Sequence, residues 1–305
     1  MNLITFPGLN LEFNISKVAF RIFGIEIYWY AILIVTAMCL ALVMFKKRDG
    51  LYKIKFNDIL DLSLYLIPIS IISARLYYIV FNLGYYLQNP SEIFNIRSGG
   101  IAIYGAVIGG IITCFVFCKK RKINVLDLLD YIAPGLVLGQ AIGRWGNFVN
   151  VEAYGSATNS LLRMGIIENG TYIEVHPTFL YESLACFAVF IILLIMKNKR
   201  KFNGQITFIY LGLYSLERFF VEGLRTDSLM IGNIRISQIL SVIIFVMSIT
   251  IYIIKLKKRN GAWLRHYVFY LILSISFTFL RERSNFGASA WAKIGDATTT
   301  YVDKS

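Results

Sequence analysis

The chain has 305 residues, of which 57% are hydrophobic and 16% charged, and its formal net charge is +13. Long apolar runs separated by short basic clusters exclude a soluble fold and define a polytopic helical membrane protein. The positive charge says little about a partner, because most of it lies between the apolar runs.

Residues 1–26 read as a segment resting on the outer face. Within it, residues 18–27 alternate around Gly24, which predicts a short hairpin or interfacial piece. A secretory signal is not expected, since no basic region precedes a short apolar core and no small-residue cleavage site follows.

Seven apolar runs follow, at 27–45, 59–80, 101–118, 125–142, 178–196, 205–222 and 236–254. The first stops at Lys46, Lys47 and Arg48, the third at Lys119 to Lys122, the fifth at Lys197 to Lys201 and the seventh at Lys255 to Arg259. In the fourth run Asp127 and Asp130 occupy the first turns, where a helix N-terminus tolerates negative charge, and Pro134 predicts a kink. The expected fold class is an all-α polytopic membrane protein of about seven transmembrane helices spanning 27–258 as one catalytic domain.

Loop charge predicts the orientation. Residues 46–58 carry five basic side chains and residues 81–100 carry only Arg97, and this alternation continues to the seventh run. Basic loops stay in the cytoplasm, so the N-terminus is expected outside, together with a polar segment between the fourth and fifth helices. Residues 259–305 form a C-terminal extension, in which 264–280 is a candidate extra helix before a polar tail expected to be disordered.

The four cysteines, Cys39, Cys114, Cys118 and Cys186, all fall inside apolar runs and read as small core residues. No metal site and no disulfide framework follow from them. Gly105 and Gly109 have the small-xxx-small spacing that lets a second helix approach closely. Tyr104 beside them is a packing residue or a site residue with equal weight.

Charge inside the apolar runs carries the functional signal, because burying it is expensive unless a partner meets it. Arg144 stands where the fourth run leaves the membrane, within residues 143–155, a stretch that also holds Asn147, Glu152 and Gly155. Tyr214, Arg218, Glu222 and Arg225, spaced four, four and three, share one face of the sixth helix. The bland alternative is an Arg218–Glu222 pair that neutralises itself. With Arg75 of the second run, several guanidinium groups gather toward the outer side. Their planar, permanently charged forks suit phosphate, the anion a membrane supplies.

Residues 143–155, Trp29-Tyr30, Ala74-Arg75-Leu76-Tyr77-Tyr78, Gly99-Gly100-Ile101, His176-Pro177-Thr178-Phe179-Leu180-Tyr181-Glu182 and residues 214–225 together resemble the prolipoprotein diacylglyceryl transferase family of bacteria. The resemblance covers residues 29–258. It implies a multi-pass enzyme of the inner membrane that moves the diacylglyceryl group of phosphatidylglycerol onto the lipobox cysteine of a preprolipoprotein signal segment. A thioether forms and glycerol 1-phosphate leaves. The family uses no metal or organic cofactor, and no nucleic acid partner is implied.

Carried onto this chain, the resemblance makes Arg144 and Arg218 the catalytic phosphate clamps and Tyr30 and Tyr214 hydroxyl donors. Asn147 binds the headgroup or orients Arg144, Glu152 holds the loop or a cation, and Gly155 permits a tight turn. Arg75, Glu222 and Arg225 complete the headgroup contacts. Many family members have a histidine where this chain has Tyr104, so Tyr104 is expected to donate or orient rather than act as base. Deprotonating a free thiol at neutral pH costs only about 2 kcal/mol, and a strong base is not required. His176, just before Pro177, is either a base or simply the residue that opens the fifth helix.

Three other functions were weighed. An anion transporter lined by Arg75, Arg144 and Arg218 predicts repeat symmetry that the sequence lacks. A heptahelical receptor with an Arg218–Glu222 lock has no need of the polar 143–155 segment. An intramembrane protease lacks its motifs.

Overall fold

A computed structural model describes residues 2–95, 99–228, 230–232 and 234–260. The candidate helix at 264–280, the tail and Arg97 lie outside the described residues. The chain divides into two compact units at Phe245 and Val246, and the candidate site lies in the first.

Helices dominate: α1 (Trp29–Lys46), α2 (Phe56–Phe81), the short α3 (Leu83–Gln88), α4 (Ile103–Arg121), α5 (Val125–Asn150), α6 (Thr178–Met196), α7 (Gln205–Leu224) and α8 (Ile236–Asn260). Among the described residues, six helices are long and apolar enough to cross a membrane. The exception among the seven predicted runs is α7, which holds Glu217, Arg218 and Glu222 along its length. Pro134 lies inside α5, which stays helical to Asn150.

That length corrects one expectation. The fourth run was read as ending at residue 142, with Arg144 in a following loop, yet Arg144, Asn147 and Asn150 all belong to α5. An apolar run measures contact with lipid and core, whereas a helix continues wherever its backbone bonds are made. Here Gly146, Phe148 and Val149 stay buried while the polar residues occupy other positions of the same turns. The helix stops at Val151, which caps it in the left-handed conformation (φ 54°).

Helix α5 is the hub, packing on α1, α6 and α7, while α2 pairs with α4. Glycine allows the α2–α4 approach. A Cβ on Gly105 would stand 2.4 Å from the Ser73 carbonyl oxygen and 2.9 Å from the Ala74 Cα, so backbone meets backbone there. At the far end of α5, Asp130 does not serve its own helix N-terminus. It accepts from Thr207 N and Oγ1, both at 2.8 Å, and from Gly204 N at 2.8 Å, so it caps α7 and ties it to α5. Asp127, in the first turn of α5, pairs with Arg200.

A second departure from the all-α expectation is a four-stranded antiparallel sheet in the order β2-β1-β5-β6, formed by β1 (Asn2–Phe6), β2 (Leu11–Ile15), β5 (Met164–Glu168) and β6 (Thr171–Val175). Between the first two and the last two comes the predicted hairpin, β3 (Val18–Ile22) with β4 (Ile25–Tyr28), turned by Phe23 and Gly24 at positive φ. Ile4, Phe6, Met164, Ile166 and Val175 of the four-stranded sheet bury themselves against Phe148 and Val149 of α5 and Phe179 of α6. The N-terminal residues therefore brace the helix ends that carry the site. A last small ladder, β7 (Met230–Ile231) with β8 (Ile234–Arg235), precedes α8.

Gly105→Ala is expected to lower the thermal stability of the purified protein, at a cost of about 1–3 kcal/mol, because backbone must move to admit the methyl group. Gly139→Ala, where a Cβ meets nothing within 4 Å, is expected to leave the melting temperature unchanged or raised. Equal melting temperatures for both variants would contradict the close helix contact.

Candidate active site

Glu182 is the centre of the site. It sits in the second turn of α6, almost wholly buried, with 2% of its side chain exposed. Three guanidinium groups converge on it. Arg144 of α5 pairs with Oε2, Arg218 of α7 lies 3.3 Å from Oε1, and Arg225, which caps the end of α7, lies 3.7 Å from the same oxygen. Arg218 also meets Glu222 one turn further along, at 2.5 Å. The arginines are more open than their carboxylate, with 20%, 19% and 12% of the Arg144, Arg218 and Arg225 side chains exposed.

Local contacts fix these side chains. Trp145 donates from its indole N–H to Ser183 Oγ at 3.1 Å, and Ser183 donates to the Ala141 carbonyl at 2.8 Å, which locks the facing turns of α5 and α6. The Trp145 ring also packs edge-on against Phe148 and Phe179. Arg225 forms a fork to Asp227, Nε to Oδ1 at 2.8 Å and Nη2 to Oδ2 at 2.7 Å. That hydrogen bond holds the Asp227 carboxyl below the usual carboxylate range, so the pair stays intact well into acid.

Most of the other predicted residues have partners of their own. Asn147 donates to Glu152 Oε1 at 2.9 Å, and Asn150 reaches the same oxygen at 3.4 Å, so Glu152 holds the end of α5 to the following loop. Tyr30 lies on Gly146, where a Cβ would come 2.1 Å from its ring. Tyr214 stacks on Tyr210 with ring centroids 5.8 Å apart. Glu222 is buried, and its carbonyl receives Arg235. His176 Nδ1 is 3.3 Å from the Tyr181 hydroxyl, and its backbone bonds Gly155, Ser156 and Thr178. Tyr104 is exposed near the start of α4.

Two expectations change. Gly155 makes no positive-φ turn. It is threaded between residue 176 and the end of α7 in a bridge to Arg225, and a Cβ there would stand 2.7 Å from the His176 Cβ. The left-handed positions in this loop are Val151 and Ala153. Arg75, expected in the phosphate site, is buried and gives its N–H groups to the carbonyls of Glu92, Ile93, Gly99 and Gly100. These bonds tie the backbone of Glu92, Ile93, Gly99 and Gly100 to α2.

Sequence reasoning did not choose Glu182, although it lay in the quoted 176–182 motif. The signal was there, because an acid inside an apolar run needs a cation as surely as Arg144 needs an anion. On the sheet side, Tyr154 is hydrogen-bonded to Glu168, which together with burial pushes its phenol up to about 12 and keeps it a donor at neutral pH.

These features define a multi-pass membrane protein with three arginines gathered on one buried glutamate at one end of its helix bundle. Residues 17–254 match the family model described as prolipoprotein diacylglyceryl transferase. The chain is 50% identical over 245 residues to the phosphatidylglycerol–prolipoprotein diacylglyceryl transferase of Finegoldia magna, covering 80% of this chain and 97% of that protein. It is 47% identical over 247 residues to the enzyme so named in Clostridioides difficile, covering 80% and 98%. With a strain of Bacillus cereus the identity is 45% over 257 residues, covering 82% and 95%. The chain belongs to the prolipoprotein diacylglyceryl transferase family.

Glu182→Gln is expected to destabilise the protein by about 3–5 kcal/mol, since it leaves Arg144 without its carboxylate while Arg218 and Arg225 keep only Glu222 and Asp227. Inorganic phosphate should raise the melting temperature of that variant more than that of the wild type. Identical melting curves with and without phosphate would argue against a shared, anion-accepting cluster.

Proposed function

We propose that the Arg144–Arg218–Arg225 cluster binds the phosphate of phosphatidylglycerol while its diacylglyceryl group passes to the lipobox cysteine of a prolipoprotein. The convergence of three guanidinium groups on Glu182 carries this reading. In the absence of lipid, Glu182 plays the anion that the forks are shaped to meet. A phosphate approaching from the more open side of the arginines joins or displaces it.

The thiolate attacks the glyceryl methylene, the carbon–oxygen bond breaks, and its electron pair stays on the phosphate as glycerol 1-phosphate leaves. Charge on that phosphate rises as the bond breaks. Guanidinium groups already held in place by Glu182, Glu222 and Asp227 stabilise it without reorganising, and this is the largest contribution such a site can make. Asn147 and Glu152 keep the end of α5 in register, while the hydroxyls of Tyr30 and Tyr214 serve as donors to the headgroup. Tyr104 orients the substrate from the start of α4.

Basic loops favour an orientation with the Arg144 end of the bundle on the outer side of the bacterial inner membrane, where secreted prolipoproteins emerge. The apolar β3–β4 tip, with Ile22, Phe23 and Ile25 exposed, then rests at the outer interface.

Purified protein supplied with phosphatidylglycerol and a lipobox peptide is expected to release glycerol phosphate only when the peptide carries its cysteine. Equal release with a serine-substituted peptide would contradict a transferase. Arg144→Lys should fold and insert yet lose about 100-fold or more in turnover, because lysine keeps the charge and loses the fork. Wild-type turnover in that variant would remove Arg144 from the chemistry.

A further inference from the structure

Glu217 stands one residue before Arg218 and is left over from the pairing just described. Both of its carboxylate oxygens are buried, and neither has a hydrogen-bond partner among the described residues. The other acids nearby are engaged: Glu182 with three arginines, Glu222 with Arg218, Asp227 with Arg225. An enclosed carboxylate without hydrogen-bond partners costs several kcal/mol, and a leucine would pack at this position without that cost. Its charged and titratable neighbours come from three helices: Arg144 of α5, Glu182 and Cys186 of α6, and Tyr214 and Arg218 of α7. Two of them are the arginines assigned above to the phosphate. Along α7, Glu217 is seven residues, or about 10 Å, from the end at Leu224.

The transfer still needs a group that takes the proton of the incoming thiol. Tyr104 is an exposed phenol, and the His176 Nδ1 is engaged with the Tyr181 hydroxyl at 3.3 Å. We infer that Glu217 is a further catalytic residue, whose free carboxylate accepts the lipobox thiol proton beside the phosphate clamp. The proton moves from sulfur to Glu217, the sulfur–carbon bond forms as the carbon–oxygen bond breaks, and the electron pair leaves with glycerol phosphate. Glu217 then returns its proton to the departing phosphate or to water. This role rests on the phosphate site proposed above.

The test compares two lipobox peptides, one with cysteine and one with selenocysteine, whose selenol is already ionised at neutral pH and needs no base. With the cysteine peptide, Glu217→Gln is expected to lose about 30-fold in turnover, the factor by which a free thiol is un-ionised at neutral pH. With the selenocysteine peptide the loss should shrink to a few-fold, so the selenium-to-sulfur rate ratio rises steeply. That ratio does not depend on how much of the variant folds. Glu217→Asp, which keeps the carboxylate, should hold the ratio near the wild-type value.

A ratio in Glu217→Gln equal to that of the wild type would overturn the assignment, whether both rates fall or neither does. The phosphate site fails separately, if wild-type release of glycerol phosphate is independent of the peptide's sulfur or selenium.

Discussion

A single buried carboxylate organises the functional end of this protein. Glu182 cannot remain ionised inside a helix bundle without cations, and arginines from two other segments cannot be left there without an anion. The pairing of Glu182 with Arg144, Arg218 and Arg225 therefore fixes the relative register of α5, α6 and α7 at their common end. The rest of the architecture supports that requirement. Ser183 and Trp145 lock the α5–α6 contact, the N-terminal sheet braces the helix ends through Phe148 and Phe179, and Asp130 pins the opposite ends of α5 and α7.

The same arrangement links stability to chemistry. Guanidinium groups that are prepaired in the resting state present fixed N–H edges rather than flexible chains, and fixed dipoles are what a developing phosphate charge can use. Apolar residues in place of such a network often make a fold more stable, so the proposed reaction gives these charges a use that packing does not. Arg75 is the instructive contrast. It is more deeply buried and equally charged, but backbone carbonyls rather than a carboxylate take its N–H groups.

Much of this was legible in the sequence, and the losses have physical reasons. Apolar runs located the helices because lipid contact demands them, and the four-four-three spacing put Tyr214, Arg218, Glu222 and Arg225 on one face. The end of α5 is not legible from polarity, because Arg144 and Asn147 are polar residues inside the helix. The four-stranded sheet joins strands more than 140 residues apart, pairing Ile4 with Ile166, and no local pattern reports a long-range ladder. One part of it was readable: Asn169-Gly170, both at positive φ, is the two-residue hairpin signal between alternating segments. Glu182 is a lone acid in an apolar helix, and its partners come from α5 and the end of α7, which no local pattern in α6 reports.

The most direct measurement is the distance between the guanidinium nitrogens of Arg144 and the phosphorus of bound phosphatidylglycerol, by nitrogen–phosphorus dipolar coupling in the lipid-embedded protein. Assignment follows from loss of the signal in Arg144→Lys. A bidentate fork predicts about 4 Å, the span of a charge-assisted hydrogen bond plus one phosphorus–oxygen bond. Saturating lipid with no coupling to Arg144, while Glu182 keeps its arginine partners undisturbed, would contradict the central claim.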